Sequence, residues 1–503
     1  MAEINLKALQ NGSDIRGFAL DTENKQKDLT EKTIRQIAHG LVGWWSERSE
    51  KLLTQTTITI GHDSRLTGPT IKNWLIDVFT ELGIQVIDAG MATTPALFMS
   101  TQYETFKSDI GIMITASHLP MEYNGLKFFT EKGGLEHDDI EAILSLAEKE
   151  VASSVEEPSQ KTEKDLLSVY AADLVSKIRA ALNVDSEAKP LSNRKILVDA
   201  GNGAGGFFAE KVLNVLGADT SGSQFLDPDG TFPNHEPNPD NKAAMASISQ
   251  AVLNNKADLG IIFDTDVDRS AIVDRQGNSI NRNNLIGLIG AIVLEENPGT
   301  TIVTNSPVSD HLIQFVEELG GKVDRYISGY RNVINRGISL NEEGVDCALA
   351  IETSGHAALR ENYFLDDGAY LAAKIIAKEA ELAKDNKSVT DLIKHLDQPA
   401  ETQEIRFVIT NPDYKEIGLE TLERFEHWVD SIEGFTIVPD NLEGKRVQLS
   451  EPYGKGWLLL RMSLHEPKLV LQIENDKSGT IDPIKEKLKS FFHYENHLDN
   501  SNL

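Results

Sequence analysis

A pattern repeated along the chain constrains its fold most: an aspartate, a short apolar run, then a loop rich in Ser, Thr, Asp or His. It occurs at residues 109–119 (DIGIMITASHL), 258–269 (DLGIIFDTDVDR) and 346–357 (DCALAIETSGHA). Apolar runs of this length suit strands buried on both faces of a parallel sheet. Between them, the spacing predicts a helix over 30–45, a strand over 57–60 ending in GHDSR and a helix over 69–82. A strand over 85–88 and a helix opening at Pro95 follow. Such alternation argues for doubly wound α/β domains, which place their ligand loops at the carboxyl ends of the strands.

At 503 residues the chain exceeds one hydrophobic core and divides into several domains. The charged, Ser-rich stretch 148–164 reads as a linker, and further boundaries fall near 276–284 and 397–402. The expected domains are 1–158, 159–276, 277–398 and 399–503. Three are related α/β units. The fourth is a smaller α+β domain whose strands, at 404–409, 457–462 and 469–473, pair antiparallel; the tail after His493 is expected to be loose.

A net charge of −29 repels nucleic acid and anionic membrane surfaces, so neither is expected as a partner. No apolar run approaches the roughly 18 residues of a membrane span, and the first residues lack a basic segment followed by an apolar one. The single cysteine, Cys347, excludes an intramolecular disulfide and reads as a core residue in a reducing compartment. A cytoplasmic location is expected. Any anionic ligand must find its cations locally.

The acidic loop Asp264–Arg269 places carboxylates at i, i+2 and i+4, a set able to converge on one hard cation. An EF-hand starts this way but needs Gly at position six and an acid at position twelve, where this chain has Arg269 and Arg275. A solvated acidic turn is the plain alternative. The loop Thr115-Ala-Ser117-His118, followed by Asn124, Gly125 and Lys127, exposes a hydroxyl at a strand end. It lacks the G-x-S-x-G elbow of a Ser–His hydrolase, and a phosphorylatable Ser near a metal fits better. Glu352, Ser354 and His356 offer groups for sugar hydroxyls, and Arg461, Ser463 and His465 offer groups for a phosphate. An ordinary turn or strand end would also account for each of these two alone.

Taken together and in order, these motifs resemble the alpha-D-phosphohexomutase superfamily, the phosphoglucomutase/phosphomannomutase group. Asp14–Gly17 resembles its N-terminal signature and Gly61–Arg65 its next turn. Thr115–His118 is similar to the phosphoserine loop, Asp264–Arg269 to the metal loop, Glu352–His356 to the sugar loop and Arg461–Pro467 to the phosphate loop. The stretches 199–206 and 228–239 match as well, so the likeness spans about residues 12–480. It implies four domains around a central cleft and an isomerase that moves phosphate between C1 and C6 of glucose or mannose. The enzyme would be a phosphoprotein of carbohydrate metabolism, a monomer or dimer.

In those terms Ser117 carries the phosphoryl group, with His118, Lys127 and Arg16 as further catalytic residues. Asp264, Asp266 and Asp268 bind Mg²⁺ together with Ser117, and a hexose 1,6-bisphosphate serves as activator. Arg65, Arg269, Gly329, Arg331, Glu352, Ser354 and His356 bind the phosphosugar, and Arg461, Ser463 and His465 hold its non-reacting phosphate. Three places depart from the family pattern: Leu119-Pro120 for Asn-Pro, Gly329-Tyr330-Arg331 for Gly-His-Lys, and His465 for Thr. Two other readings stay open, a phosphoglucosamine mutase and a catalytically weak sugar-phosphate-binding homologue. The Thr at the head of the Ser117 loop, where the glucosamine enzymes have Ser, favours glucose or mannose.

Overall fold

The computed structural model describes residues 4–149, 157–464 and 466–503. The chain forms two compact units, Met1–Leu285 with Ser354–Asp391, and Ile286–Thr353 with Leu392–Leu503.

The first unit opens with an eight-stranded sheet in which Ile110–Ile114, Thr57–His62, Gln85–Met91 and Lys161–Glu163 run parallel. Asp14–Phe18 and Tyr123–Thr130 extend it antiparallel. The helix predicted over 30–45 is Glu31–Arg48, capped by the Thr30 hydroxyl, which accepts from Thr33 N. Its apolar stripe Ile34, Ile37, Ala38, Leu41 packs in one core with Ile140, Ile143 and Leu144 of the helix His137–Ala147. Burying each such side chain contributes about 1.5–3 kcal/mol. Of the stretch read as a linker, residues 150–156 lie outside the described residues. Lys161–Glu163 is the edge strand just named, so its charged side chains solvate a sheet edge.

A second sheet, Ser279–Ile280, Ser270–Asp274, Leu259–Phe263 and Ile196–Asp199, follows in the same unit. Ile196–Asp199 and Leu259–Phe263 pair parallel, but the return strand Ser270–Asp274 is antiparallel to Leu259–Phe263, a departure from the largely parallel sheet expected. The Asp264–Arg269 loop is the tight connection of that hairpin.

In the second unit, Lys322–Tyr326, Thr301–Asn305 and Cys347–Ile351 pair parallel. Cys347 is buried in the last of them. Residues 401–475 supply an antiparallel sheet of five strands. Its buried Arg446 lies over the Trp457 ring at 3.7 Å and donates to the carbonyls of Ser306 and Val308 and to Asp310 Oδ1 (2.7 Å). The tail expected to be loose is instead ordered. Thr410 N donates to His497 O and Asp499 N to Val408 O, and Leu498 is buried. Two apolar residues in a polar tail, Leu498 and Leu503, are enough to dock it. Among the described residues, no helix is long and apolar enough to cross a membrane.

Candidate active site

All the expected catalytic and metal residues fall in the first unit: Ser117, His118 and the three aspartates on loops at strand ends, Arg16 within the strand Asp14–Phe18 and Lys127 within Tyr123–Thr130. Ser117 follows the strand Ile110–Ile114 and takes φ 51°, a left-handed conformation that costs a non-glycine residue about 1–3 kcal/mol. The surroundings hold it there. Thr115 Oγ1 accepts from Ser117 N (2.9 Å) and donates to Asp63 Oδ2 (2.6 Å). Arg65 donates to the carbonyls of Ser117 (2.5 Å), Leu119 (2.5 Å), Pro120 (2.8 Å) and Tyr123 (2.9 Å). Arg65 was expected to bind substrate. Its guanidinium is instead buried and committed to this loop, because four converging carbonyls in a dry site need one forked cation.

Burial pushes the Asp63 carboxyl up to about 6, against the pull of the Arg65 cation and the Thr115 hydroxyl. A carboxyl held above its unfolded value of 3.8 favours folding below that pH, and this advantage is lost as pH rises through about 6. The shift is worth at most about 3 kcal/mol. Asp63→Asn is therefore expected to flatten the fall in unfolding free energy between about pH 4 and 6. Urea melts at those pH values check it, and an unchanged slope would disprove the assignment.

The acidic loop closes on Ser117. Ser117 Oγ donates to Asp264 Oδ2 at 3.0 Å. Asp264, Asp266 and Asp268 are fully buried, and each offers an oxygen within 4.8 Å of the others. Asp266 Oδ1 and Asp268 Oδ1 are buried and have no hydrogen-bond partner among the described residues. Hard oxygens converging in this way, two of them orphaned, fit a divalent cation. Burial and the charges of Asp268 and Asp266 hold Asp264 well above the usual carboxylate range. Burial pushes Asp268 up as well, but Lys127, His356 and Arg269 outweigh it and hold that carboxyl low. Lys127 Nζ lies 2.5 Å from Asp268 Oδ2 and 3.4 Å from Asp266 Oδ2.

Backbone packing fixes the loop. Val267 takes φ 67°, and its carbonyl accepts from Gly368 N (3.1 Å). A Cβ on Gly368 would stand 2.5 Å from the Arg269 carbonyl carbon, so only glycine permits this approach. Arg269, also expected to bind substrate, is buried. Its Nη2 donates to Asp264 Oδ2 (3.1 Å) and His118 Nδ1 (2.8 Å) and lies 3.4 Å from Ser117 Oγ.

His118 Nδ1 lies 3.4 Å from Ser117 Oγ and already accepts from Arg269. Burial and the cations Arg269 and Arg16 keep the ring well below its usual pKa. With Nδ1 taken by Arg269, the ring is poorly placed to take a proton from Ser117 as a hydrolase dyad requires. Arg16 pairs with Asp14 at 2.9 Å. His356 hydrogen-bonds Asp366. Burial lowers the pKa of its ring, but Asp366 and Asp268 outweigh this and raise it. Asp63, Thr94, Asp366 and Gly368 also build the site, though none is among the residues expected from the sequence. Asp63 and Gly368 sit inside short Asp- and Gly-containing turns (HDSR, DDG) that could have pointed to them.

In the second unit, Glu352 Oε1 accepts from Gly329 N at 2.7 Å, and Gly329 takes φ 114° at the start of the helix Tyr330–Glu342 that carries Arg331. Arg461 pairs with Glu443 at 3.6 Å, and Ser463 N donates to Lys468 O. Ser354 begins the 354–391 segment of the first unit, and His465 lies outside the described residues.

The chain is similar to several known proteins. Residues 7–153, 170–277 and 281–399 match the phosphoglucomutase/phosphomannomutase alpha/beta/alpha domains I, II and III. A phosphoglucomutase of Neisseria meningitidis is 30% identical over 478 residues, 95% of each chain. A phosphomannomutase/phosphoglucomutase of Pseudomonas aeruginosa is 31% identical over 474 residues, 94% of this chain and 92% of its own. The crystal structure of a phosphoglucomutase/phosphomannomutase family protein from Burkholderia thailandensis shares the fold, with a TM-score of 0.78 at 24% identity over 98% of each chain. The chain belongs to the phosphoglucomutase/phosphomannomutase family.

Proposed function

We propose that this protein interconverts the 1- and 6-phosphates of glucose, mannose or both through a phosphorylated Ser117 and a 1,6-bisphosphate. One observation carries the reading: in a chain of this family, Ser117 Oγ touches a carboxylate of a buried three-aspartate cluster. A phosphoryl group on that oxygen would repel Asp264 unless a cation stood between them. Mg²⁺ held by Asp264, Asp266 and Asp268 would supply that charge and neutralise the phosphoryl oxygens.

The chain's own groups do the rest. The P–O bond at Ser117 Oγ breaks as the phosphoryl group passes to the free hydroxyl of a hexose monophosphate; that hydroxyl's proton passes by way of Lys127 in its neutral form to the freed Oγ, and the Arg16 cation stabilises the charge. The bisphosphate turns over, and its other phosphoryl group returns to Ser117 Oγ. Arg269 holds the loops of donor and cation together, and Arg65 fixes the carbonyls behind Ser117. In the second unit Glu352, Gly329 and Arg331 are assigned to the sugar, with Ser354 and His356 of the first. Arg461, Ser463 and His465 are assigned to the phosphate at rest. Domains at 1–158, 159–276, 277–398 and 399–503 divide these tasks.

The test is turnover of glucose 1-phosphate, mannose 1-phosphate and glucosamine 1-phosphate, with Mg²⁺ and a trace of the matching bisphosphate. Turnover of the first or second at rates near 1–10³ s⁻¹ is expected. Preference for the glucosamine substrate would redirect the reading, and no turnover by folded protein would reject it.

A further inference from the structure

Thr94 lies far along the chain from the acidic loop, yet it grips that loop at one residue. It begins the helix Thr94–Gln102, whose cap Thr93 accepts from Ala96 N at 3.2 Å. Pro95 has no N–H and Ala96 N is capped, so Thr94 N is the donor left over at that end, and it donates to Asp266 O at 2.9 Å. The buried Thr94 hydroxyl donates to Asp266 Oδ2. One residue thus holds Asp266 by both main chain and carboxylate.

The consequence lies in what remains. Asp266 Oδ2 is occupied by Thr94 and by Lys127 at 3.4 Å, while Oδ1 is buried and has no hydrogen-bond partner among the described residues. A carboxylate pinned through one oxygen has its χ angles set, and its other oxygen is presented without rotamer search. Next to it, Val267 stands in a strained conformation that needs anchoring on both sides. Gly368 N supplies one anchor at Val267 O, and Thr94 supplies the other at Asp266 O.

We propose that Thr94 is a positioning residue for cation binding, orienting Asp266 so that its free oxygen joins those of Asp264 and Asp268. The inference rests on the reading of those aspartates as the cation's ligands. Groups that orient a metal ligand typically account for 10- to 100-fold in affinity.

Mn²⁺ binding to the full chain, followed by electron paramagnetic resonance, separates the two claims. Wild type and Asp264→Asn come first: if Asp264→Asn binds Mn²⁺ as wild type does, the cation reading itself fails. Given that control, Thr94→Val keeps the shape and the main-chain N–H but loses the hydroxyl. It is expected to weaken Mn²⁺ binding by about 10- to 100-fold, while its melting temperature in EDTA stays within a few degrees of wild type. Thr94→Ser restores the hydroxyl and is expected to bind within about threefold of wild type, a rescue that a packing role would not give. If Thr94→Val does not fold, Thr94→Ala against Thr94→Ser makes the same comparison. Wild-type affinity in the hydroxyl-free variant, or equal loss in Thr94→Ser, would overturn the proposal.

Discussion

Ser117→Ala is expected to lower mutase turnover by roughly 10⁴-fold or more, the scale on which covalent nucleophiles matter. The substitution removes one oxygen from a site that is otherwise kept by its neighbours. Arg65 bonds to the main chain of residues 117, 119, 120 and 123, not to the Ser117 hydroxyl, so the loop retains its path. The melting temperature is therefore expected to stay within a few degrees of wild type. Incubation with radiolabelled glucose 1,6-bisphosphate is expected to label wild type and leave the variant unlabelled. Turnover within tenfold of wild type, or a retained label, would place the phosphoryl group elsewhere.

The second large effect belongs to Arg65. Arg65→Met leaves its four carbonyl partners and Asp63 buried without their cation, and breaking a buried pair in this way typically costs 3–5 kcal/mol. Urea melts are expected to show a loss of that order. Arg65→Lys separates stability from geometry. It keeps the charge, but an ammonium cannot span carbonyls that a planar fork reaches two by two. Its stability loss is expected to be smaller, while kcat falls by about 10²-fold because the Ser117 loop shifts. A Lys variant with wild-type kcat would show that Arg65 serves stability alone.

The two residues mark where the sequence was legible. Ser117 and the three aspartates stand in short runs whose residue types declare a chemistry, and strand ends place such runs together. Arg65 is equally visible in GHDSR, but its role depends on which atoms face it, and carbonyls leave no trace in side-chain identity. Thr94 is harder still. TTP reads as a helix start and nothing more, since its partner Asp266 is 172 positions away. The repeat of apolar strands gave the α/β layers, yet said nothing of the antiparallel return Ser270–Asp274, whose apolar residues look the same in either direction. The polar composition of the tail hides its anchor at Leu498.

Arg446 bears on how the last hundred residues can be handled in isolation. The expected domain start at 399 looks like a natural place to cut, since a five-stranded sheet lies beyond it. The residue's charge, however, is satisfied by the Ser306 and Val308 carbonyls and by Asp310, all outside such a fragment. Burial already draws its guanidinium down to about 10. A fragment beginning near 399 would display a bare arginine on the Trp457 face, with the apolar surface around it open to self-association. A piece for spectroscopy or for grafting onto a relative should instead keep the 306–310 turn, joining Ile286–Thr353 to Leu392–Leu503 without the 354–391 segment of the first unit.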